Sequence, residues 1–201
     1  MTMTRLVVLA NSWKHSDWCI AGIDLVTGNW VRPVTHLKDG RIPRTAMKLD
    51  GYFPKLLDII ELPLAATGPD YGFEKENQTL LPGKWIHHGQ MTPDELRRYA
   101  EKKDCVLHNL DSSVPFDVLQ QKPKEEQCSL QLIDVDDFRA RPARKRTTGE
   151  ATWQGVFTSG NQTLVIRITD PGFVGKLQAG HKPVSTCLIT MSLSMPYKPP
   201  E

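Results

Sequence analysis

The chain has 201 residues, 39% of them apolar and 24% charged, which fits one globular domain or two small ones and argues against wholesale disorder. Residues 1–100 carry 12 basic and 11 acidic side chains, and residues 101–201 carry 13 and 12. This balance excludes a histone-like excess and an acidic tail, so a nucleic-acid surface must come from local clustering.

Leu6-Val7-Val8-Leu9-Ala10 predicts a short buried strand ended by Asn11-Ser12. The run is too short for a membrane span or a signal-peptide core. Residues 18–25 predict a second strand. Thr27-Gly28-Asn29 then supplies turn chemistry, and Trp30-Val31-Arg32-Pro33 completes a hairpin that Pro33 limits. Residues 34–55 and 65–84 are rich in Gly and Pro and read as loops around a strand at 56–64. Trp85-Ile86-His87-His88 closes this half as its last strand.

The pattern then changes. Thr92-Pro93-Asp94-Glu95 spells a helix start, with Thr92 as N-cap, Pro93 in the first turn and Glu95 closing a capping box. Leu96, Tyr99 and Ala100 share a face, and Lys102 and Lys103 suit the negative end, which predicts a helix over 92–103. A second short helix is expected at 115–121 and a solvated connection at 122–126. Strands follow at 128–139, 152–158, 164–169 and 186–193, with Ser159-Gly160-Asn161 as a hairpin turn. Ile133 breaks the alternation of Ser129-Leu130-Gln131-Leu132, which suggests a bulge. Two β-rich groups flanking a helical region fit two small barrels better than one sandwich.

Cys19, Cys105, Cys128 and Cys187 are each more than twenty residues apart and form no CxxC pair, so reduced thiols and a cytoplasmic location are expected.

Three stretches together carry a family likeness. They are Asn11-Ser12-x-Lys14 with Cys19-Ile20-Ala21-Gly22-Ile23-Asp24 and Gly28-x-Trp30-Val31-Arg32-Pro33-Val34; Leu56-Leu57-Asp58-Ile59-Ile60-Glu61-Leu62-Pro63-Leu64 followed by Glu76-Asn77; and Val165-Ile166-Arg167-Ile168-Thr169-Asp170-Pro171. The sequence resembles the bacterial dual OB-containing domain family over nearly its whole length. The resemblance implies a mainly β fold of two tandem OB-like small β-barrels joined by a helical segment. The expected divisions are a first barrel at 1–90, a helical linker at 91–126 and a second barrel at 127–201. It also implies binding of nucleic acid or nucleotides. In the family a final apolar strand follows a Tyr-Lys pair. Here Tyr197-Lys198 is followed by Pro199-Pro200-Glu201, so the last strand of the second barrel is expected to be missing or supplied from elsewhere.

Arg139, Arg141, Arg144, Lys145 and Arg146 form the densest basic cluster, with no acid between Asp137 and Glu150. It reads either as a phosphate-binding loop leaving a strand or as a solvated loop. Arg32, Lys38, Arg41, Arg44, Lys48 and Lys55 give a second basic segment in a long loop, whose bland reading is ordinary surface charge. Asn11, Ser12 and Lys14 could grip a phosphate or base edge, or serve the turn alone. Trp13, in a polar stretch, is the stacking candidate, whereas Trp30 reads as core.

Signals for chemistry are weaker. Cys105-x-x-His108 and His87-His88 lack a second matching pair, so no metal is expected, and Asp134, Asp136 and Asp137 read as exposed strand positions. No G-x-S-x-G occurs, and Gly83-Lys84 lacks the rest of a phosphate loop, so no cofactor is expected. Three functions remain open. The first is a non-catalytic module binding single-stranded or distorted nucleic acid for partner enzymes. The second is an enzyme on nucleotides or nucleic acid using Asp24, Asp58 or Asp170. The third is an adaptor that pairs a protein partner or a second copy through the edge at 186–193. A membrane partner is not expected.

Overall fold

A computed structural model describes residues 2–14, 17–37, 39–47, 49, 51–101, 105–109, 113–145 and 148–194. Strand β1 (Thr2–Lys14) is longer than its apolar run, because its polar end continues the ladder with β2 (Asp17–Asp24). A bulge between Val8 and Ala10 shifts that register. At Gly22 the strands approach so closely that a Cβ would lie 2.0 Å from the Val7 carbonyl oxygen, and only glycine fits. Asp24 holds the following turn, its carboxylate accepting from the Val26 N–H and the Thr27 hydroxyl at 2.9 and 2.8 Å. Strand β3 (Trp30–Val34) then returns alongside β2 as expected.

Strand β4 (Asp58–Leu64) pairs with the other side of β1, and β6 (Ile86–Gln90) pairs with β4. The loop expected at 65–84 contains a strand, β5 (Asn77–Thr79), parallel to β3. Its Asn-Gln-Thr sequence carries no hydrophobic alternation, so its partner alone makes it a strand. The six-stranded sheet runs β5-β3-β2-β1-β4-β6. Beyond this ladder, Leu64 bridges Leu80, the Ala65 N–H donates to the Thr79 carbonyl at 2.9 Å, and the Leu81 N–H donates to the Pro63 carbonyl at 3.0 Å. Inside lie Leu6, Val8, Ile20, Val31, Ile60, Leu62, Leu64 and Trp85.

The helix expected over 92–103 is much shorter. Its capping box is present, but α1 spans only Pro93–Leu96, and a 3-10 turn at Arg97–Tyr99 follows. Ala100 is extended, and the Glu101 N–H donates to the Leu132 carbonyl at 2.8 Å, so the chain is drawn beside a strand before a second helical turn forms. Residues 102–104, including Lys102 and Lys103, lie outside the described residues. Helix α2 (Phe116–Gln120) matches its expectation. The described residues of 91–126 are therefore mostly irregular rather than helical.

The second β region has two sheets. Strand β7 (Leu130–Val135) pairs with β11 (Cys187–Ser192) without a bulge. Gln131, Leu132 and Ile133 are all buried because both faces of β7 are covered, which accounts for the broken alternation. Strands β8 (Arg139–Arg144), β9 (Ala151–Ser159) and β10 (Gln162–Arg167) form an antiparallel sheet. Phe138 packs over Gly155, where a Cβ would lie 2.7 Å from its ring. Asp170 caps α3 (Pro171–Gln178), with Pro171 in the first turn. Phe157, Leu164, Val135 and Met191 fill the space between these sheets.

Among the described residues no sheet mixes strands from before residue 91 with strands from after 126. A third apolar cluster nevertheless joins the regions. Val7, Leu9 and Ile23 from the outward side of the first sheet meet Leu96 of α1, Leu132 of β7 and Leu188 of β11. Among the described residues no helix is long and apolar enough to cross a membrane.

Candidate nucleic-acid interface

Side chains alternate along a strand, so register decides which residues share a face. In the β8–β9–β10 sheet, Arg139 stands opposite Val156, and Arg141 stands opposite Gln154, which in turn stands opposite Arg167. Ala140, Phe157, Leu164 and Ile166 take the other parity and pack into the core. The outward face therefore presents Arg139, Arg141 and Arg167, all exposed, around the half-buried Gln154, Val156 and Val165. The three strands contain four arginines and no Asp or Glu. Arg141 donates through Nε to Gln154 Oε1 at 3.2 Å, and none of the four arginines makes an ion pair among the described residues.

The expected loop cluster is thus divided by a strand. Arg139 and Arg141 lie on the open face. Arg144 has the opposite parity at the strand end, where its Nη1 donates to the Gly149 carbonyl at 3.1 Å. Lys145 is ion-paired with Glu150, which holds the Glu150 carboxyl below its ordinary range. Arg146 lies outside the described residues. Arg167 and Gln154 join this face although the amino-acid order does not single them out as candidates. Their signal is the absence of acids across 151–159 and 162–167, which becomes meaningful only once these strands adjoin β8.

Among the described first-region candidates, Arg32, Arg41 and Asn11 are engaged in contacts of their own. Arg32 is largely enclosed between the regions, its side chain 13% exposed. Its Nη1 reaches Glu74 at 2.7 Å, and its Nη2 reaches Glu76 at 3.6 Å and the Ser129 hydroxyl at 2.9 Å. Ser129 donates onward to Glu76, and Asn77 donates to Glu74 at 2.9 Å. This network locks β3, β5 and the start of β7 together. Arg41 is held at 2.9 Å by each of Asp39 and Asp17, and these bonds, Asp39 first, raise its pKa above the ordinary guanidinium value. Asn11 tethers the 35–57 loop, its Nδ2 donating to the Pro54 carbonyl at 2.6 Å. Ser12 is a half-buried partner of Cys19 in the β1–β2 ladder. The backbones of Trp13 and Lys14 pair with Trp18 and Asp17, but their side chains lie outside the described ones. Lys38 and Lys48 also lie outside the described residues. Arg44 remains exposed, 4.8 Å over the Phe53 ring, which itself stacks on Trp18 at 5.9 Å. Trp30 is partly buried against the shared apolar cluster.

The three carboxylates considered for acid–base work serve local structure. Asp24 holds its turn, and Asp170 accepts from the Phe173 N–H at the head of α3. Asp58 is fully buried and accepts from the Lys55 N–H at 2.6 Å, the Tyr52 hydroxyl at 2.7 Å and Gln90 Nε2 at 2.9 Å, with His87 Nε2 at 3.4 Å. Burial opposes its ionisation, yet these bonds hold it below the usual aspartate range. Burial and the same carboxylate push the Tyr52 hydroxyl up to about 12. The Cys105-x-x-His108 spacing does not make a pair: Cys105 donates to the Asn109 carbonyl at 2.8 Å, while His108 Nε2 accepts from the Cys128 N–H at 3.1 Å. Among the described residues no three His, Cys, Asp or Glu side chains converge as metal ligands. Asp134 pairs with Arg97, and Asp137 accepts from Thr158.

A family model described as the dual OB-containing domain matches residues 4–201. No curated protein and no solved structure matches the chain significantly.

Proposed function

The chain belongs to the dual OB-containing domain family, and from that premise we propose that it is a non-catalytic module binding single-stranded or distorted nucleic acid, in service of partner enzymes. The observation that carries this reading is the exposed face of β8, β9 and β10, three strands without Asp or Glu, with Arg139, Arg141 and Arg167. Guanidinium forks with no ion-pairing acid are suited to phosphate oxygens, and the binding energy they supply is salt-dependent. Neighbouring strands lie about 4.8 Å apart, so the face is roughly 10 Å wide, a track for one strand rather than a duplex.

Both regions read as OB-like barrels in this proposal. In the first, the isolated bridge between Leu64 and Leu80 and its flanking backbone bonds run between the end of β4 and the chain at β5, which supports a barrel-like arrangement. In the second, β7 pairs with β11, β8 follows it closely in the chain and pairs with β9, and β9, β10, α3 and β11 follow in order. The outer face of strands two and three is where such barrels bind oligonucleotides.

Fluorescence anisotropy with labelled single-stranded DNA and RNA over a salt series tests the reading. Replacing Arg139, Arg141 and Arg167 together with Ala should weaken binding on the order of a hundredfold. It should also flatten the slope of log K against log salt by roughly two, at about 0.7 per lost contact. An unchanged slope in this variant refutes the assignment of the face.

An adaptor reading is favoured by one feature: among the described residues β11 is paired along one side only, by β7. A strand from a protein partner or a second copy would extend this sheet. Light scattering and hydrogen exchange decide it. A strict monomer with protected amides over 187–192 removes its support.

A further inference from the structure

The arginine face ends at a cleft of about 380 Å³ between the end of the β9–β10 hairpin sheet and α3. This is the low end of the roughly 300–1,000 Å³ typical of small-molecule sites, a size for one nucleotide-like group rather than a long ligand. Trp153, Ile168 and Val174 supply apolar lining, while Lys145, Arg167 and Gln178 supply polar and cationic lining. No Asp or Glu lines it.

The sequence explains why an indole stays accessible there. Trp153 has the same parity as Gly155 and Phe157, which are buried, yet it is only half-buried because it stands where the sheet runs out. Helix α3 is turned inward at its start by Phe173, whose ring lies 6.1 Å from that of Phe138. Val174 and Gln178, one turn apart, are left to border the cleft. The nearby acids are both engaged: Asp170 caps α3 and Glu150 pairs with Lys145. Arg167 belongs to the open face and to the cleft at once, and it makes no ion pair among the described residues.

We infer that this cleft receives one unstacked base of a bound single strand, with Trp153 as the stacking surface and Arg167 holding the adjoining phosphate. The inference rests on the nucleic-acid reading above and adds to it a base-contacting subsite. A phosphate track alone would be indifferent to bases, whereas stacking on an aromatic ring depends on them and tolerates any sequence.

The test compares two labelled oligonucleotides of equal length, one ordinary and one abasic at every position, by anisotropy at fixed salt. The wild-type protein should bind the abasic strand about tenfold more weakly. Trp153→Ala should lower affinity for the ordinary strand to the abasic level and leave abasic binding unchanged, and Trp153→Phe should restore most of the difference. Val174→Phe, which fills the cleft but keeps the indole, should abolish the base dependence as well and serves if Trp153→Ala does not fold. Equal binding of both strands by the wild type, or an equal loss for both strands in Trp153→Ala, overturns the inference while leaving the arginine face intact. Binding of neither strand by the wild type overturns the nucleic-acid reading itself, and the subsite with it.

Discussion

The outward side of β1–β3 carries Val7, Leu9, Ile23 and Arg32; the outward side of β8–β10 carries Arg139, Arg141, Gln154 and Arg167. Both are faces of antiparallel hairpin sheets in one chain. The first is covered by α1, β7 and β11, and the second is open. Burying aliphatic side chains at about 1.5–3 kcal/mol each favours placing the second region on the first face, where Leu132 and Leu188 are complementary. The same arrangement leaves the arginine face outside. An arginine on an outward strand position therefore has two fates. Arg32 becomes a largely enclosed joint among Glu74, Glu76 and Ser129, whereas Arg141 keeps its guanidinium at the surface.

The largest expected effect is on the covered side. Arg32→Ala leaves Glu74 and Glu76 buried without their cation and should destabilise the fold by about 3–5 kcal/mol. Arg141→Ala should leave the melting temperature unchanged within error and weaken nucleic-acid binding instead. Chemical denaturation of both variants beside anisotropy checks the contrast, and a stable Arg32→Ala protein that has lost binding would reverse it.

Next comes the apolar seam. Leu132→Ala should cost about 2–5 kcal/mol, while Val165→Ala, on the open face, should cost less than about 1.5 kcal/mol. Similar losses at both positions in urea melts would mean that the second face is covered too.

A smaller, pH-dependent effect separates the loop over the first sheet from the second region. Asp58 is held below the usual aspartate pKa of 3.8, so the stability it contributes is complete above that value and fades as pH falls through its folded pKa. The stability gap between wild type and Asp58→Asn should be constant near neutrality and shrink on acidification below the ordinary carboxylate range. Thermal melts from pH 7 to pH 3 measure it, and a gap that widens with acid contradicts the assignment. The least effect is expected at Arg41, whose pairs with Asp17 and Asp39 are partly exposed. Arg41→Ala should leave the melting temperature nearly unchanged and oligonucleotide affinity as it was.

Much of this architecture is legible in the amino-acid order, because its causes are local. Gly28 and the Asx chemistry of Asp24 specify the β2–β3 turn, the apolar runs specify β2, β4, β9 and β10, and Thr92 with Glu95 specifies where α1 begins. Other features depend on partners far along the chain. The polar β5 is a strand only because β3 lies beside it, and α1 stops early because the chain after it is captured by β7. The arginines of β8 lie on a strand rather than a loop because β9 takes their backbone. Arg32 becomes internal through Ser129, ninety-seven residues away. Alternation along a strand determines which side chains share a face, and the sequence carries that period openly. What covers a face is decided by packing between segments with no sequence proximity, so only the tertiary structure distinguishes the enclosed arginine from those left exposed.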